Sequence, residues 1–361
     1  MTERINRLRD RFQDLKIDAM LVSNEINVGY LSGFTGDSSW LLITEGSATI
    51  FSDGRYRTQI ASECPTLKCV IRTPSQQMVE MVREGVGELP DARIGIESQH
   101  ISVAMMSSLT EKCPETNWQP VESAVEGLRM IKDAREIETL RRAVDINQRA
   151  YQSVVAKFRP EWTEREIAFE LEATMRFLGG QGVSFQPIVG AGPNGALPHY
   201  RPGNVAIGDY PTLLVDWGTF YGGYASDMTR TLHRPDASEK FRSAYLAVLD
   251  AQLAAIDKIR PGVAAQDVDT AARDVLKNAG LGDYFVHGLG HGVGLQIHEA
   301  PRMSAVSTEN LAVGMVITVE PGVYFEGDFG IRIEDDVLVT ETGHEVLSTL
   351  PKGLDDCQLI L

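Results

Sequence analysis

Two segments in the second half of the chain, VDWGTFYGGY at 215–224 and VEPGVYFEGD at 319–328, repeat one order: an apolar residue, an acid, any residue, a glycine, then an aromatic-bearing turn. Leu213, Leu214 and Val215 precede Asp216, and Ile317, Thr318 and Val319 precede Glu320, so each acid stands on or at the end of an apolar strand entering a hairpin. A lone buried carboxylate costs several kcal/mol, so each needs a partner. Folding the first hairpin about Tyr221 to Gly223 brings Asp227 across from Asp216 or one position off; folding the second about Gly327 brings Glu334 across from Glu320. Cross-strand Cβ atoms lie about 4.5 to 5.5 Å apart. Two such pairs of like charge call for cations.

Between the hairpins lies HGLGHGVGLQIHE, His287 to Glu299. Glycine is costly inside a helix and adds nothing to packing, so this segment reads as a loop or strand end shaped around something. One of its histidines joined to the four acids makes an oxygen-rich set with a single nitrogen. That set suits Mn²⁺, Fe²⁺, Co²⁺ or Zn²⁺, and bridging carboxylates hold two ions about 3.5 to 4 Å apart. Taken singly, each residue is as readily a solvated strand-face acid or a packed histidine; the five together point to a dinuclear hydrolase site.

The chain's 361 residues suit two domains. Residues 1–125 alternate short apolar runs (DAMLVS, SWLLIT, SATIFSD, LKCVIR, RIGIES) with helical patterns, an α/β layout. From Ile131 the pattern changes. Ile137, Leu140, Val144, Tyr151, Val154 and Phe158 predict a long amphipathic helix, Thr163 and Glu166 form a capping box for the next, and two more are expected near 239–259 and 266–279. Residues 126–361 thus read as an α+β domain with antiparallel hairpins.

A formal charge of −16 argues against nucleic acid and anionic membrane as partners. MTERINRLRDRFQDL lacks the apolar centre of a signal peptide, and no run approaches eighteen apolar residues, so a cytoplasmic location is expected. Cys64, Cys69, Cys113 and Cys357 lack framework spacing and read as free thiols. His100, His233 and His344 match no motif and read as surface histidines.

At VDWGTFYGGYASDMTRT, HGLGHGVGLQIHE, VEPGVY and GIRIEDD the chain resembles the pita-bread metallopeptidase family, which includes prolidase, aminopeptidase P, methionine aminopeptidase and the non-metal enzyme creatinase. NVGYLSGFTG and FSDGRY resemble the N-terminal domain of its creatinase-type members. The resemblance implies an α/β creatinase-like N-terminal domain over residues 1–125 and an α+β pita-bread catalytic domain over residues 126–361. It makes Asp216 a ligand of one metal, Asp227 and Glu334 bridging ligands, and His291 and Glu320 ligands of the other. Two divalent ions per subunit are implied, Mn²⁺ foremost, with Co²⁺, Zn²⁺ or Fe²⁺ as alternatives. The complete ligand set points to the proline-specific branch, whose substrates are Xaa-Pro dipeptides or proline-containing peptides with a free N-terminus.

By the same resemblance, a metal-bridging hydroxide attacks the scissile carbonyl, Glu320 shuttles the proton, His298 bonds the oxyanion and His199 helps hold substrate. His287 faces the substrate, Arg302 resembles the arginine that pairs with a substrate carboxylate, and Arg332 orients ligands or substrate. A homodimer is expected by analogy. Two other functions stand as alternatives: a peptide- or protein-binding module without turnover, and a creatinase-like amidinohydrolase. Asp53, Arg55 and Tyr56 of FSDGRY are explained by a turn and helix start.

Overall fold

The structure, a computed structural model, describes residues 2–361, and the chain divides into two units, Met1–Arg129 and Met130–Leu361. In the first unit the five apolar runs form strands Ala19–Val22, Trp40–Thr44, Ala48–Ser52, Lys68–Ile71 and Arg93–Glu97. A sixth, Asn117–Val121, pairs in parallel with Arg93–Glu97 and closes one edge of the sheet. Its sequence, NWQPV, hid it: Pro120 lacks an amide hydrogen, Asn117 and Pro120 are exposed and only Val121 is buried, a pattern that suits an edge strand. Leu21, Leu42, Phe51 and Ile94 pack against Val82 and Leu109 of the covering helices. In FSDGRY, Asp53 caps the following turn by accepting from the Arg55 amide at 2.9 Å and grips the Arg55 guanidinium at 2.7 Å.

In the second unit Asp133 caps the long helix Ala134–Val155, and Phe158 packs into the core from the turn beyond it. Thr163 and Glu166 cap each other at the start of Glu164–Phe177. Helices Glu239–Lys258 and Ala265–Asn278 complete the α layer.

Both hairpins are bent. Thr212–Trp217 pairs with Met228–His233, and beyond a break Thr219–Tyr221 pairs with Tyr224–Ala225. Likewise Val316–Val319 pairs with Asp335–Val339, and beyond a break Gly322–Phe325 pairs with Phe329–Arg332. The breaks are written in the sequence. A Cβ on Gly218 would collide with the Ser226 carbonyl, so only glycine allows that approach, and Pro321 removes a ladder donor. The acids collect at the breaks.

The register of the first hairpin differs from the sequence expectation. Gly222 and Gly223, both at positive φ, make a two-residue turn with Tyr221 opposite Tyr224. Asp216 therefore stands opposite Thr229, and Asp227 is its diagonal neighbour, neither directly across nor one position off. In the second hairpin Val319 faces Asp335 and Gly322 faces Arg332, so Glu320 and Glu334 oppose each other across the break.

His233 is not a surface residue. It ends the wholly buried strand Met228–His233, with Nε2 2.9 Å from the Leu354 carbonyl oxygen and Nδ1 3.0 Å from that of Arg234. Among the described residues no helix is long and apolar enough to cross a membrane.

Candidate active site

The two bent hairpins lie side by side. The Glu334 amide donates to the Thr229 carbonyl, and the Arg332 amide donates to the Thr231 hydroxyl. This contact turns the four acids toward a common basin, which His291 enters from the short strand Gly290–Gly292. Ligand atoms of Asp227, His291 and Glu334 lie within 4.8 Å of one another. His291 Nε2 is 3.4 Å from Glu320 Oε1 and 3.6 Å from Asp227 Oδ2.

The glycines around His291 are there for close approach. A Cβ on Gly290 would strike the Thr318 carbonyl, and one on Gly292 the Ala300 carbonyl, so the strand carrying His291 fits between its neighbours only as glycine–histidine–glycine. Gly290→Ala is expected to lower stability by about 1 to 3 kcal/mol, since rigid backbone must yield. Denaturant unfolding measures it, and an unchanged midpoint would contradict this packing.

The electrostatics of the basin are those of crowded, dehydrated carboxylates. Burial first, then Glu334, Asp216, Glu320 and Asp336, pushes the Asp227 carboxyl well above its usual range. Burial, then Glu320 and Asp216, does the same to Glu334. Burial raises Glu320 to about 8 and raises Asp216, where Arg332 opposes it. Burial and His298 push His291 down to about 4, so its ring is neutral. Nδ1 of His291 lies 3.0 Å from the Gly292 carbonyl oxygen, which assigns the proton to Nδ1 and leaves the Nε2 lone pair facing two carboxylates. Asp216 Oδ1 is buried with no hydrogen-bond partner among the described residues. Lone pair against lone pair, with an orphaned carboxylate oxygen alongside, is what divalent cations satisfy. Asp216, Asp227, His291, Glu320 and Glu334 fit them chemically.

The other candidates form two groups. At the rim, His298 is exposed, its ring centroid 4.4 Å from that of His291, and burial, His199 and Arg302 lower its pKa. His199 is exposed, and Arg302, also exposed, is the cross-strand partner of His291. Beneath the basin, Arg332 is buried. It donates to Asp216 Oδ2 at 2.6 Å, the Thr229 hydroxyl at 3.0 Å and the Tyr324 hydroxyl at 2.8 Å. His287 Nε2 lies 2.9 Å from the same Tyr324 hydroxyl.

Sequence reasoning missed the residues that hold these groups. Thr229 donates to Glu334 Oε2 at 2.6 Å, Thr318 donates to Glu320 Oε1 at 3.3 Å, and Asp336 Oδ2 accepts from the Asp227 amide at 3.1 Å. Strand alternation carried that signal, because Thr229 is two residues from Asp227, Thr318 two from Glu320 and Asp336 two from Glu334. Farther out, Asp269 and Arg273, four apart on one helix, hold the His287 segment through the Leu289 amide and the His287 carbonyl. Glu299 accepts from the Gln296 amide and pairs with buried Lys132 at 3.3 Å, tying down the turn that carries His298.

Residues 138–341 match metallopeptidase family M24, and residues 4–131 match the creatinase/prolidase N-terminal domain. An Xaa-Pro dipeptidase of Pyrococcus furiosus is 33% identical, with 98% of this chain and 100% of the relative covered. The solved structure of an Xaa-Pro dipeptidase from Bacillus anthracis is 36% identical and superposes with a TM-score of 0.94 over 98% of this chain and 99% of that one. An X-Pro aminopeptidase from Thermotoga maritima is 34% identical, with a TM-score of 0.87 over 95% of this chain and 99% of that one.

Proposed function

Because this chain belongs to metallopeptidase family M24 and carries a creatinase/prolidase N-terminal domain, we propose that it hydrolyses the Xaa-Pro bond of dipeptides or of peptide N-termini with two divalent ions, Mn²⁺ foremost. In this reading residues 126–361 form the catalytic domain and residues 1–125 the creatinase-like domain. Relatives named Xaa-Pro dipeptidase and X-Pro aminopeptidase support the substrate class. The observation that carries the metal reading is the neutral His291 ring presenting its Nε2 lone pair to Asp227 and Glu320.

Asp216, Asp227 and Glu334 would hold one ion, and Asp227, Glu334, His291 and Glu320 the other. When bound, the ions supply Lewis acidity, lowering the pKa of water and polarising the scissile carbonyl. The remaining work falls to side chains. Glu320 is only partly buried at the basin edge, where its carboxylate is placed to take a proton from the attacking water and pass it to the leaving nitrogen. His298 donates to the oxygen that becomes negative, from a rim position beside His291. His199, which is exposed, holds the substrate. Arg332, buried against Asp216, orients that ligand, while His287 fixes Tyr324 between itself and Arg332.

Arg302 distinguishes the two substrate lengths. Its exposed guanidinium is placed to pair with the carboxylate that follows proline in a dipeptide. An Xaa-Pro dipeptide and an Xaa-Pro-Yaa tripeptide, assayed with Mn²⁺, test the reading. Arg302→Ala is expected to lower kcat/KM on the dipeptide by about 10- to 100-fold, the loss of one charge-assisted pair, and to leave the tripeptide nearly unchanged. Equal losses on both would remove Arg302 from carboxylate recognition. No cleavage of either by folded, metal-loaded protein would replace the peptidase reading with that of a binding module.

A further inference from the structure

Glu164 has no task in the chemistry above. It is the first residue of the Glu164–Phe177 helix and is fully buried, on the face that also buries Ile167, Leu171 and Met175. Burying a carboxylate is costly unless donors satisfy its oxygens. Four converge on it. Oε1 accepts from the Ala191 amide at 2.8 Å and from Asn194 Nδ2 at 2.9 Å. Oε2 accepts from the Tyr200 hydroxyl at 2.8 Å and from the Gly203 amide at 3.0 Å. Every donor belongs to residues 191–203, the segment that carries His199.

The start of that segment is fixed by other means. A Cβ on Gly190 would lie 2.7 Å from the Gly195 amide nitrogen, and one on Gly330 would collide with the Gly195 carbonyl, so residues 190–195 are wedged against strand Phe329–Arg332. From Leu197 the chain swings outward, and both Leu197 and His199 are exposed. Tyr200 and Gly203 then bring it back, and both do so on Glu164 Oε2.

We propose that Glu164 is a positioning residue for His199: its two oxygens fasten the inner flank and the return limb of one loop, so that the imidazole between them faces the basin. The proposal rests on the reading of His199 as a substrate-holding group. Glu164→Gln keeps the size and reverses half the polarity. Whichever way the amide turns, its –NH₂ confronts either the Ala191 or the Gly203 amide, and neither of those can become an acceptor. The helix remains docked, because the Glu164 amide still donates to the Val205 carbonyl and the Arg165 amide to that of Gly203.

The experiment uses the full chain loaded with Zn²⁺, which leaves NMR spectra sharp, and ¹³C-labelled histidine, with His199→Ala identifying the His199 signal. In Glu164→Gln, and in Tyr200→Phe as a milder variant, the His199 signal is expected to move toward that of a free side chain, while the His291 and His298 signals stay in place. With Mn²⁺ and an Xaa-Pro dipeptide, Glu164→Gln should lower kcat/KM about as much as His199→Ala, by about a hundredfold, with the double variant no worse than His199→Ala alone. An unmoved His199 signal, or losses that multiply in the double variant, would overturn the positioning role. A moved signal with His199→Ala fully active would keep the positioning role and overturn the substrate role of His199.

Discussion

Asp227→Ala is expected to leave a folded protein that no longer responds to metal, with kcat/KM on an Xaa-Pro dipeptide lower by about 1,000-fold or more. Asp227 is the carboxylate on which the basin centres. It lies with His291 and Glu334 inside one 4.8 Å cluster, and Glu334, Asp216, Glu320 and Asp336 all act on its charge. In the proposed reading Asp227 serves both ions, so its removal takes away their Lewis acidity, worth several kcal/mol, and each 1.36 kcal/mol is tenfold in rate. The fold survives, because the Asp227 amide that bonds Asp336 is main chain and the deleted carboxylate is repelled by its neighbours when no cation is present. Circular dichroism with steady-state kinetics checks both halves. A loss below tenfold in a folded variant would take Asp227 out of the metal basin.

The metal-free protein is expected to become less stable as pH rises from 6.5 to 8, and Mn²⁺ to restore what is lost. Asp227 and Glu334 are held well above the usual carboxylate range and Glu320 at about 8, each by burial first. Unfolded, these groups ionise near pH 4. Between those limits the folded state binds more protons than the unfolded state, so stability falls as pH rises. His287 and His291, pushed down to about 4, and His298, also lowered, have the opposite effect, which fades as pH rises past the ordinary histidine value of 6.5. Over this interval the raised carboxylates, with Asp336 at about 8 among them, outweigh it. Bound cations favour the ionised carboxylates, so the gap between chelated and Mn²⁺-loaded protein should widen with pH. Thermal unfolding at pH 6.5 and 8, with chelator and with Mn²⁺, measures it. A chelated protein that grows more stable over this interval would contradict the crowded basin.

The fold and the acids were legible because they are periodic or repeated. The strands of the first unit, the four long helices of the second and the two acid-bearing hairpins follow from apolar runs, capping residues and glycines. The exceptions have physical causes. Asn117–Val121 is an edge strand disguised by its proline, and the first hairpin shifted register because its turn spans Gly222 and Gly223 alone. His233 lies on a wholly buried strand that no local pattern marks as such. Least legible were the residues that hold the histidines. Glu164 meets the His199 loop, Lys132 meets Glu299, and Asp269 meets Leu289 only after the chain has folded. Long-range hydrogen bonds leave no period in a sequence.

The most direct test of the account is a titration of chelator-stripped protein with Mn²⁺, following bound metal and Xaa-Pro dipeptide hydrolysis in the same samples. Binding that saturates at about two ions per chain, with hydrolysis absent at the start and appearing as the basin fills, is the expected result. Hydrolysis at full rate in the stripped protein, or saturation without any hydrolysis, would contradict it.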